Sequence, residues 1–296
     1  MQDTRRSDYQ ENKKHLKNFD LIPCCSDIHS LMSCYPDILD EVYIMARALE
    51  KYIRPGVKST PFCPGCGHGI LMGLILRAID DLKMDMNKML FVSGIGCAAW
   101  IPSPHYNGDT LHTLHGRALA FATGAKLYNP DLCVMVVSGD GDLSSIGGNH
   151  LIHAARRNID LKVICANNMI YGMTGGQVAS TTPRGSKTST TGEGNPYRPF
   201  DLCKLVEGAG ATYVARFSVT QPVSLIDSIK KAILHTGFSF IEALSPCPTQ
   251  FGRRNRLDRP DEMMKDLIRR CILEQEAEGL TEEERAEKII TGEFLS

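Results

Sequence analysis

From Lys58 onward the chain alternates short apolar runs with stretches of helical periodicity, and no other feature limits its fold so tightly. The runs are Met89–Ser93 (MLFVS), Leu132–Ser138 (LCVMVVS), Leu161–Ala166 (LKVICA), Tyr213–Phe217 (YVARF) and Phe238–Leu244 (FSFIEAL), each closing at Gly, Ser or Asn. They are short and apolar on both faces, as buried parallel strands are. Between them lie helix candidates Ile70–Leu82, Arg117–Tyr128, Leu143–Arg157, Phe200–Glu207 and Pro222–His235, the last with Pro suited to a first helical turn. The alternation predicts an α/β fold, a doubly wound and mostly parallel sheet covered on both faces.

Three segments follow. Residues 1–57 form an expected helical extension, with Ile38, Val42, Ile44, Met45, Ala48 and Leu49 spaced for one helix over Pro36–Tyr52. Residues 58–255 form the α/β domain. Residues 256–296 are charge-rich, with Thr281 and Glu284 spaced as a capping box, and predict peripheral helices. Inside the domain, Gly175–Pro199 is so rich in Gly, Ser, Thr and Pro that it reads as one long loop. The charges, 33 Lys+Arg against 34 Asp+Glu, leave a net charge of −1 and no basic footprint for nucleic acid. No run approaches the roughly 18 apolar residues of a membrane span, and the first twenty residues lack the apolar stretch of a secretory signal. The expected setting is therefore cytoplasmic. Eleven cysteines are then notable, because disulfides seldom persist there. The cysteines that matter should be metal ligands or redox groups.

In a doubly wound sheet, ligands bind beyond the carboxyl ends of the strands. Those ends are Gly94–Ala99, Gly139–Asp142, Asn167–Gly176 and Ser245–Gly252, and every unusual motif falls on one of them. Gly139-Asp140-Gly141 ends one strand, and Asn167-Asn168 ends the next, one helix later. The glycines let backbone amides approach a phosphate, and the helix opening near Leu143 turns its positive end toward it. Asp140 and the Asn168 side-chain oxygen are hard ligands suited to a Mg²⁺ that bridges a diphosphate. Either turn alone is an ordinary strand terminus; their spacing makes them a site.

A second constellation is made of thiols. Cys63 and Cys66 are separated by two residues, Cys97 follows on the loop after one strand, and Cys247 on the loop after another. Four thiolates converging there could hold a [4Fe–4S] cluster, with tetrahedral zinc as the rival for the same ligands.

The GDG…NN spacing resembles the thiamine diphosphate motif of many thiamine-dependent enzymes. Together with residues 62–69 (FCPGCGHG), 94–97 (GIGC), 115–124 (HGRALAFATG), 167–177 (NNMIYGMTGGQ) and 245–249 (SPCPT), the chain resembles the β subunit of the 2-oxoacid:ferredoxin oxidoreductases from about Lys58 to Asn255. The resemblance implies a thiamine diphosphate-binding fold. It implies that Asp140, Asn168 and the Ile170 carbonyl hold Mg²⁺, that Gly141, Asp142, Gly172 and Met173 line the diphosphate, and that Ile95, Gly96, Cys97 and Ala98 pass along the cofactor. It places His115 beside the cofactor, where a donor meets diphosphate oxygens. It assigns Cys63, Cys66, Cys97 and Cys247 to a [4Fe–4S] cluster, and since zinc cannot take up an electron, an adjacent thiamine favours iron and sulfur.

The activity implied is oxidative decarboxylation of a 2-oxoacid, capture of the acyl group by coenzyme A and transfer of electrons to ferredoxin. The branch it resembles most acts on 2-oxoglutarate, because of SPCPTQFGRRN at 245–255, where Arg253 and Arg254 are candidate cations for a second carboxylate. Members specific for pyruvate or branched-chain 2-oxoacids, and a non-redox thiamine-dependent decarboxylase, remain the alternatives. A zinc-stabilised interaction subunit is a more distant one. Thiamine enzymes use a Glu beside the aminopyrimidine, and neither Glu193 nor Glu242 sits in a matching motif. The resemblance assigns that Glu to an α subunit, in an αβ pair that dimerises. Cys133, Cys165 and Cys203 read as small buried hydrophobes. His68 fits a local hydrogen bond as well as a contact with the site. His105, His112, His150 and His153 read as packing or surface residues.

Overall fold

The computed structural model describes residues 49–296, so the helix expected over Pro36–Tyr52 falls almost wholly outside them. Eight strands form one sheet. In chain order they are β1 (Met89–Ser93), β2 (Asp109–His112), β3 (Cys133–Gly139), β4 (Lys162–Asn167), β5 (Tyr213–Ser218), β6 (Ser239–Leu244), β7 (Cys271–Leu273) and β8 (Ile289–Leu295). Their spatial order is β2-β1-β3-β4-β6-β5-β8-β7. The first six run parallel, β8 pairs antiparallel with β5, and β7 lies parallel to β8.

Alternate side chains of each strand enter two separate cores. On one face Phe91, Met135, Val137, Ile164, Ala215, Phe217 and Ile241 pack under α1 (Gly67–Asp81) and α5 (Pro222–Leu234). On the other, Val92, Val134, Val136, Val163, Cys165, Val214 and Phe240 pack under α2 (Ala118–Tyr128), α3 (Gly148–Arg156) and α4 (Leu202–Ala209). Both faces are covered, which is why β4 and β6 are buried along their whole length. Each fully buried Val, Leu, Ile or Phe contributes about 1.5–3 kcal/mol, so burial on both faces outweighs any polar residue on these strands.

The expected helix Leu143–Arg157 is divided. A π-helical turn covers Gly141–Ile146, and α3 begins only at Gly148. The break lies at Gly147, where a Cβ would meet the Asp142 carbonyl oxygen at 2.6 Å. π-Helical turns are rare and concentrate at functional sites. Residues 256–296 carry the expected helices, α6 (Pro260–Arg270) and α7 (Glu282–Ala286), with the Thr281–Glu284 capping box formed. They are not helical throughout: β7 and β8 extend the sheet, and Arg216 on β5 reaches the Ile290 carbonyl at 3.3 Å. No helix among the described residues is long and apolar enough to cross a membrane.

The connection from β1 moves outward to β2, and the chain then returns across β1 to place β3 on its other side. The loops after β1 and β3 diverge there, and this switch point is where an open α/β sheet forms a crevice.

Candidate active site

A cleft opens over that crevice. Its walls are Ile95–Ala98 after β1, Gly139–Asp142 after β3, Asn168 and Ile170–Thr174 after β4, with His68 and His115. Asp140, Asn168, Ile170, Ile95, Gly96, Cys97, Ala98, His115, Gly141, Asp142, Gly172 and Met173 are thus brought together around one space. Gly141 is required by close approach, since a Cβ there would sit 2.5 Å from the Tyr171 ring. The Tyr171 hydroxyl in turn donates to the Gly141 carbonyl at 3.0 Å, tying the β3 and β4 loops together.

Asp140 is 1% exposed. Its carboxylate accepts from the Asn168 amide at 3.4 Å and from the Thr181 hydroxyl, and among the described residues no Lys or Arg pairs with it. Burial without a counter-charge pushes its carboxyl up to about 6. The Asn168 side-chain oxygen accepts from the Ile170 amide at 3.2 Å, which folds residues 168–170 back beside Asp140. A buried carboxylate and an amide oxygen without a cation are a donor set that fits Mg²⁺. Thr181 lies in the Gly175–Pro199 loop, which therefore supports Asp140 from behind. No local spacing in the sequence marks that contact.

Asp142 is a different kind of carboxylate. Its two oxygens accept from the Ile95 amide (3.2 Å), the Gly116 amide (2.7 Å), the Ser138 hydroxyl (2.7 Å) and the His115 Nδ1. With both oxygens so occupied, its side chain braces the Gly94–Ile95 loop and orients His115. A Cβ on Gly94 would collide with this carboxylate, which explains glycine there.

Of the four cysteines, Cys97 lines the cleft and Cys247 stands beside its Gly172. A Cβ on Gly172 would lie 3.6 Å from the sulfurs of both Cys97 and Cys247 and 3.6 Å from the Asn168 side-chain nitrogen. The two sulfurs are thus less than twice that distance apart and adjoin the Asp140–Asn168 end of the cleft. Cys66 caps the start of α1, whose Gly67 amide donates to the Pro246 carbonyl at 3.0 Å, joining the first pair to the Cys247 loop. Burial pushes the Cys66 thiol up to about 12 and Cys97 to about 11, with the neighbouring cysteines adding to each, and Cys247 is raised by burial as well. Such thiols become thiolates only against a cationic centre. Among the described residues no three of the four sulfurs gather within 4.8 Å, whereas tetrahedral zinc with bonds of about 2.3 Å needs thiolates about 3.8 Å apart. A cubane gives each thiolate its own iron and fits a wider spacing.

The matching family model is the thiamine pyrophosphate enzyme, C-terminal TPP-binding domain, over residues 94–243. The 2-oxoglutarate synthase subunit KorB of Methanocaldococcus jannaschii is 51% identical over 245 residues, 83% of this chain and 90% of the relative. The chain belongs to the β subunits of the 2-oxoacid:ferredoxin oxidoreductases. The KorB subunit of Methanothermobacter marburgensis is likewise 51% identical, over 82% of this chain and 85% of its own. Among solved structures, a 2-oxoglutarate:ferredoxin oxidoreductase from Magnetococcus marinus with 2-oxoglutarate, coenzyme A and succinyl-CoA bound matches with a TM-score of 0.74 and 34% identity, over 84% of each chain.

In this β subunit neither candidate Glu lines the cleft. Glu193 is exposed on its loop. Glu242 is buried in β6, accepting from the Asn167 side chain at 2.6 Å and from Arg216 at 2.7 Å. Asp201, Cys203 and Glu242 also lie within 4.8 Å of one another, but Arg216 already pairs with both carboxylates, so the group is an ion-pair network and not a vacant metal site. Arg254 is held by the Gln250 carbonyl and the Gly175 carbonyl, both at 3.0 Å, and does not line the cleft; nor does Arg253. Cys165 is buried among apolar residues as expected; Cys203 is buried too, but its thiol donates to Glu242 at 3.4 Å, and Cys133 is partly exposed at the edge of its core; His105 is buried with its Nδ1 against the Trp100 carbonyl at 2.5 Å. Tyr171 and Thr174 line the cleft without having been singled out by spacing, and His68, whose place left a local hydrogen bond and a contact with the site both open, makes both.

Proposed function

We propose that the chain is the β subunit of a 2-oxoglutarate:ferredoxin oxidoreductase, which interconverts 2-oxoglutarate, coenzyme A and oxidised ferredoxin with succinyl-CoA, CO₂ and reduced ferredoxin. The observation that carries the reading is the meeting of the diphosphate-type cradle with two of the four candidate thiols, Cys97 in the cleft wall and Cys247 beside Gly172. The substrate follows that of the 2-oxoglutarate synthase subunits it is similar to and the 2-oxoglutarate held by the Magnetococcus structure.

Thiamine diphosphate, when bound, supplies a carbanion that adds to the keto carbon and a ring that accepts the electrons left by CO₂. Asp140, the Asn168 side chain and the Ile170 carbonyl would hold its Mg²⁺. Gly141, Gly172 and Met173 would line the diphosphate, with the bulk of Tyr171 behind Gly141. His115, fixed by Asp142, presents its other ring nitrogen to the cleft as a diphosphate partner. Cys63, Cys66, Cys97 and Cys247 would hold the [4Fe–4S] cluster, which supplies one-electron transfer. Because Cys97 belongs to both the thiol set and the cleft wall, the path between the two centres is short. The cleft contains neither an activating Glu nor, among its lining residues, any Lys or Arg for the substrate carboxylates. Both needs are met by an α subunit, and the functional unit is an αβ pair that dimerises in the cytoplasm.

Anaerobic co-purification with the α subunit, followed by methyl viologen reduction, tests the reading. Reduction should require coenzyme A and thiamine diphosphate and should favour 2-oxoglutarate over pyruvate by at least about tenfold in kcat/KM, the discrimination that a single well-made or missing polar contact provides. A preference for pyruvate would reject the substrate; decarboxylation without any dye reduction would reject the redox chemistry.

A further inference from the structure

His68 opens α1 two residues after Cys66, yet its ring faces the cleft rather than solvent. It is 1% exposed. Its Nδ1 lies 2.6 Å from the Ser245 hydroxyl, and Phe62 meets the ring edge-on with centroids 5.9 Å apart, so its orientation is fixed from two sides. Its Nε2 has no hydrogen-bond partner. A buried polar atom left unpaired costs about 1–3 kcal/mol, and such groups in native proteins ordinarily answer to a ligand or a catalytic role. The other polar side chains around the cleft are engaged: Tyr171 with Gly141, Thr174 with Gln177, Asp140 with Thr181, and His115 with Asp142. Among the described residues, Nε2 of His68 is the one fully buried side-chain polar atom on the cleft wall that lacks a partner.

We propose that His68 Nε2 donates a hydrogen bond to the keto oxygen of the 2-oxoacid. The proposal rests on the oxidoreductase reading above and assigns that site a residue for the reacting carbonyl. Two arguments select the keto oxygen. The cleft wall carries no Lys or Arg, so this chain offers nothing that matches a carboxylate, whereas one neutral donor matches a carbonyl. His68 also stands at the thiol end of the cleft through Ser245, next to Pro246-Cys247, and the electrons leave the reacting carbon on that side. Negative charge gathers on the keto oxygen as a nucleophile adds to its carbon, and a donor fixed in advance stabilises that charge without reorganising. Donation requires the proton on Nε2, so Nδ1 accepts from the Ser245 hydroxyl. Ser245 is thereby a positioning residue: its hydroxyl sets the tautomer and its backbone amide is anchored to the Asn167 carbonyl at 2.9 Å.

The αβ complex, co-purified anaerobically, is compared as wild type, H68N, H68Q and S245A. H68N keeps a partner for Ser245 and removes the Nε2 position; H68Q reaches into the cleft with an amide nitrogen. For each, kcat and KM for 2-oxoglutarate, the inhibition constant of glutarate, the dissociation constant of thiamine diphosphate and the iron content are measured. Glutarate has the carboxylates and lacks the keto group. We expect H68N to lower kcat/KM by about 10- to 100-fold, the range for a lost hydrogen bond to developing charge, with H68Q recovering most of it and S245A losing about tenfold. Glutarate inhibition, thiamine diphosphate affinity and iron content stay within about twofold, since none depends on the keto contact. If H68N loses iron, S245A carries the test. The proposal is overturned if H68N and S245A keep kcat/KM within about threefold of wild type, or if glutarate and thiamine diphosphate binding fall in parallel with it. A wild-type complex that reduces no acceptor with 2-oxoglutarate removes the parent reading and this assignment together.

Discussion

Two carboxylates two residues apart perform unlike tasks because their surroundings differ. Asp140 is buried with donors from Thr181 and Asn168 and no cationic side chain beside it among the described residues, while Asp142 is saturated by four donors from Ile95, Gly116, Ser138 and His115. Asp142→Ala leaves the buried Gly116 amide and Ser138 hydroxyl without their acceptor and releases the half-buried Ile95 amide and His115 nitrogen, and at about 1–3 kcal/mol for each buried group it should lower stability by at least about 2 kcal/mol. Urea denaturation measures this; a loss under about 1 kcal/mol would show that Asp142 braces nothing. The residues at strand ends were legible in the sequence because Gly-Asp-Gly, Asn-Asn and Gly-Ile-Gly-Cys sit where an α/β sheet must present its ligands. Thr181 and Tyr171 were not, since their contacts with Asp140 and Gly141 depend on the course of a loop that has no periodicity to read. His68 was visible as a residue, but its unpaired nitrogen is a fact of three dimensions.

At the scale of elements, the five strands buried on both faces follow the apolar runs to within about a residue at either end. The strands that sequence reading missed are the ones with an incomplete covering. β2 is an edge strand with exposed Asp109, Leu111 and His112, and β8 mixes Ile289 and Ile290 with Gly292 and Glu293. Neither shows a two-sided apolar run, and a charged tail favours a helical reading. β8 is nevertheless tied to the site. Its Ile290 carbonyl accepts from Arg216, Arg216 pairs with Glu242, and Glu242 accepts from Asn167, whose side-chain oxygen receives the Met169 amide at 2.9 Å. Met169 holds the unfavourable φ of +63° that turns the chain at the Asn pair. Glu242→Ala leaves Arg216 with the half-exposed Asp201 as its one carboxylate and frees Asn167, so it should cost about 1–3 kcal/mol by thermal or chemical denaturation. A cost near that of an exposed ion pair, about 0–1 kcal/mol, would contradict the role of this chain of contacts.

At the scale of the whole molecule, fold and site have one cause. The strand order reverses direction between β1 and β3, the loops diverge there, and the resulting cleft takes its walls from three strand ends and its floor from the start of a π-helical turn. Cys97 lies in the cleft wall because its loop follows β1, Cys247 adjoins it on the loop after β6, and the start of α1 ties Cys66 to that second loop. Sequence alone conveyed this convergence through the positions of the cysteines relative to strand ends, but not the spacing of the sulfurs, no three of which gather within 4.8 Å among the described residues. The most direct test is electron paramagnetic resonance of the anaerobic αβ complex before and after 2-oxoglutarate is added. The account predicts about four irons per β chain and the signal of a reduced [4Fe–4S] cluster that appears on substrate addition only when thiamine diphosphate and Mg²⁺ are present. Zinc in place of iron, or a cluster that dithionite reduces and substrate does not, would contradict it.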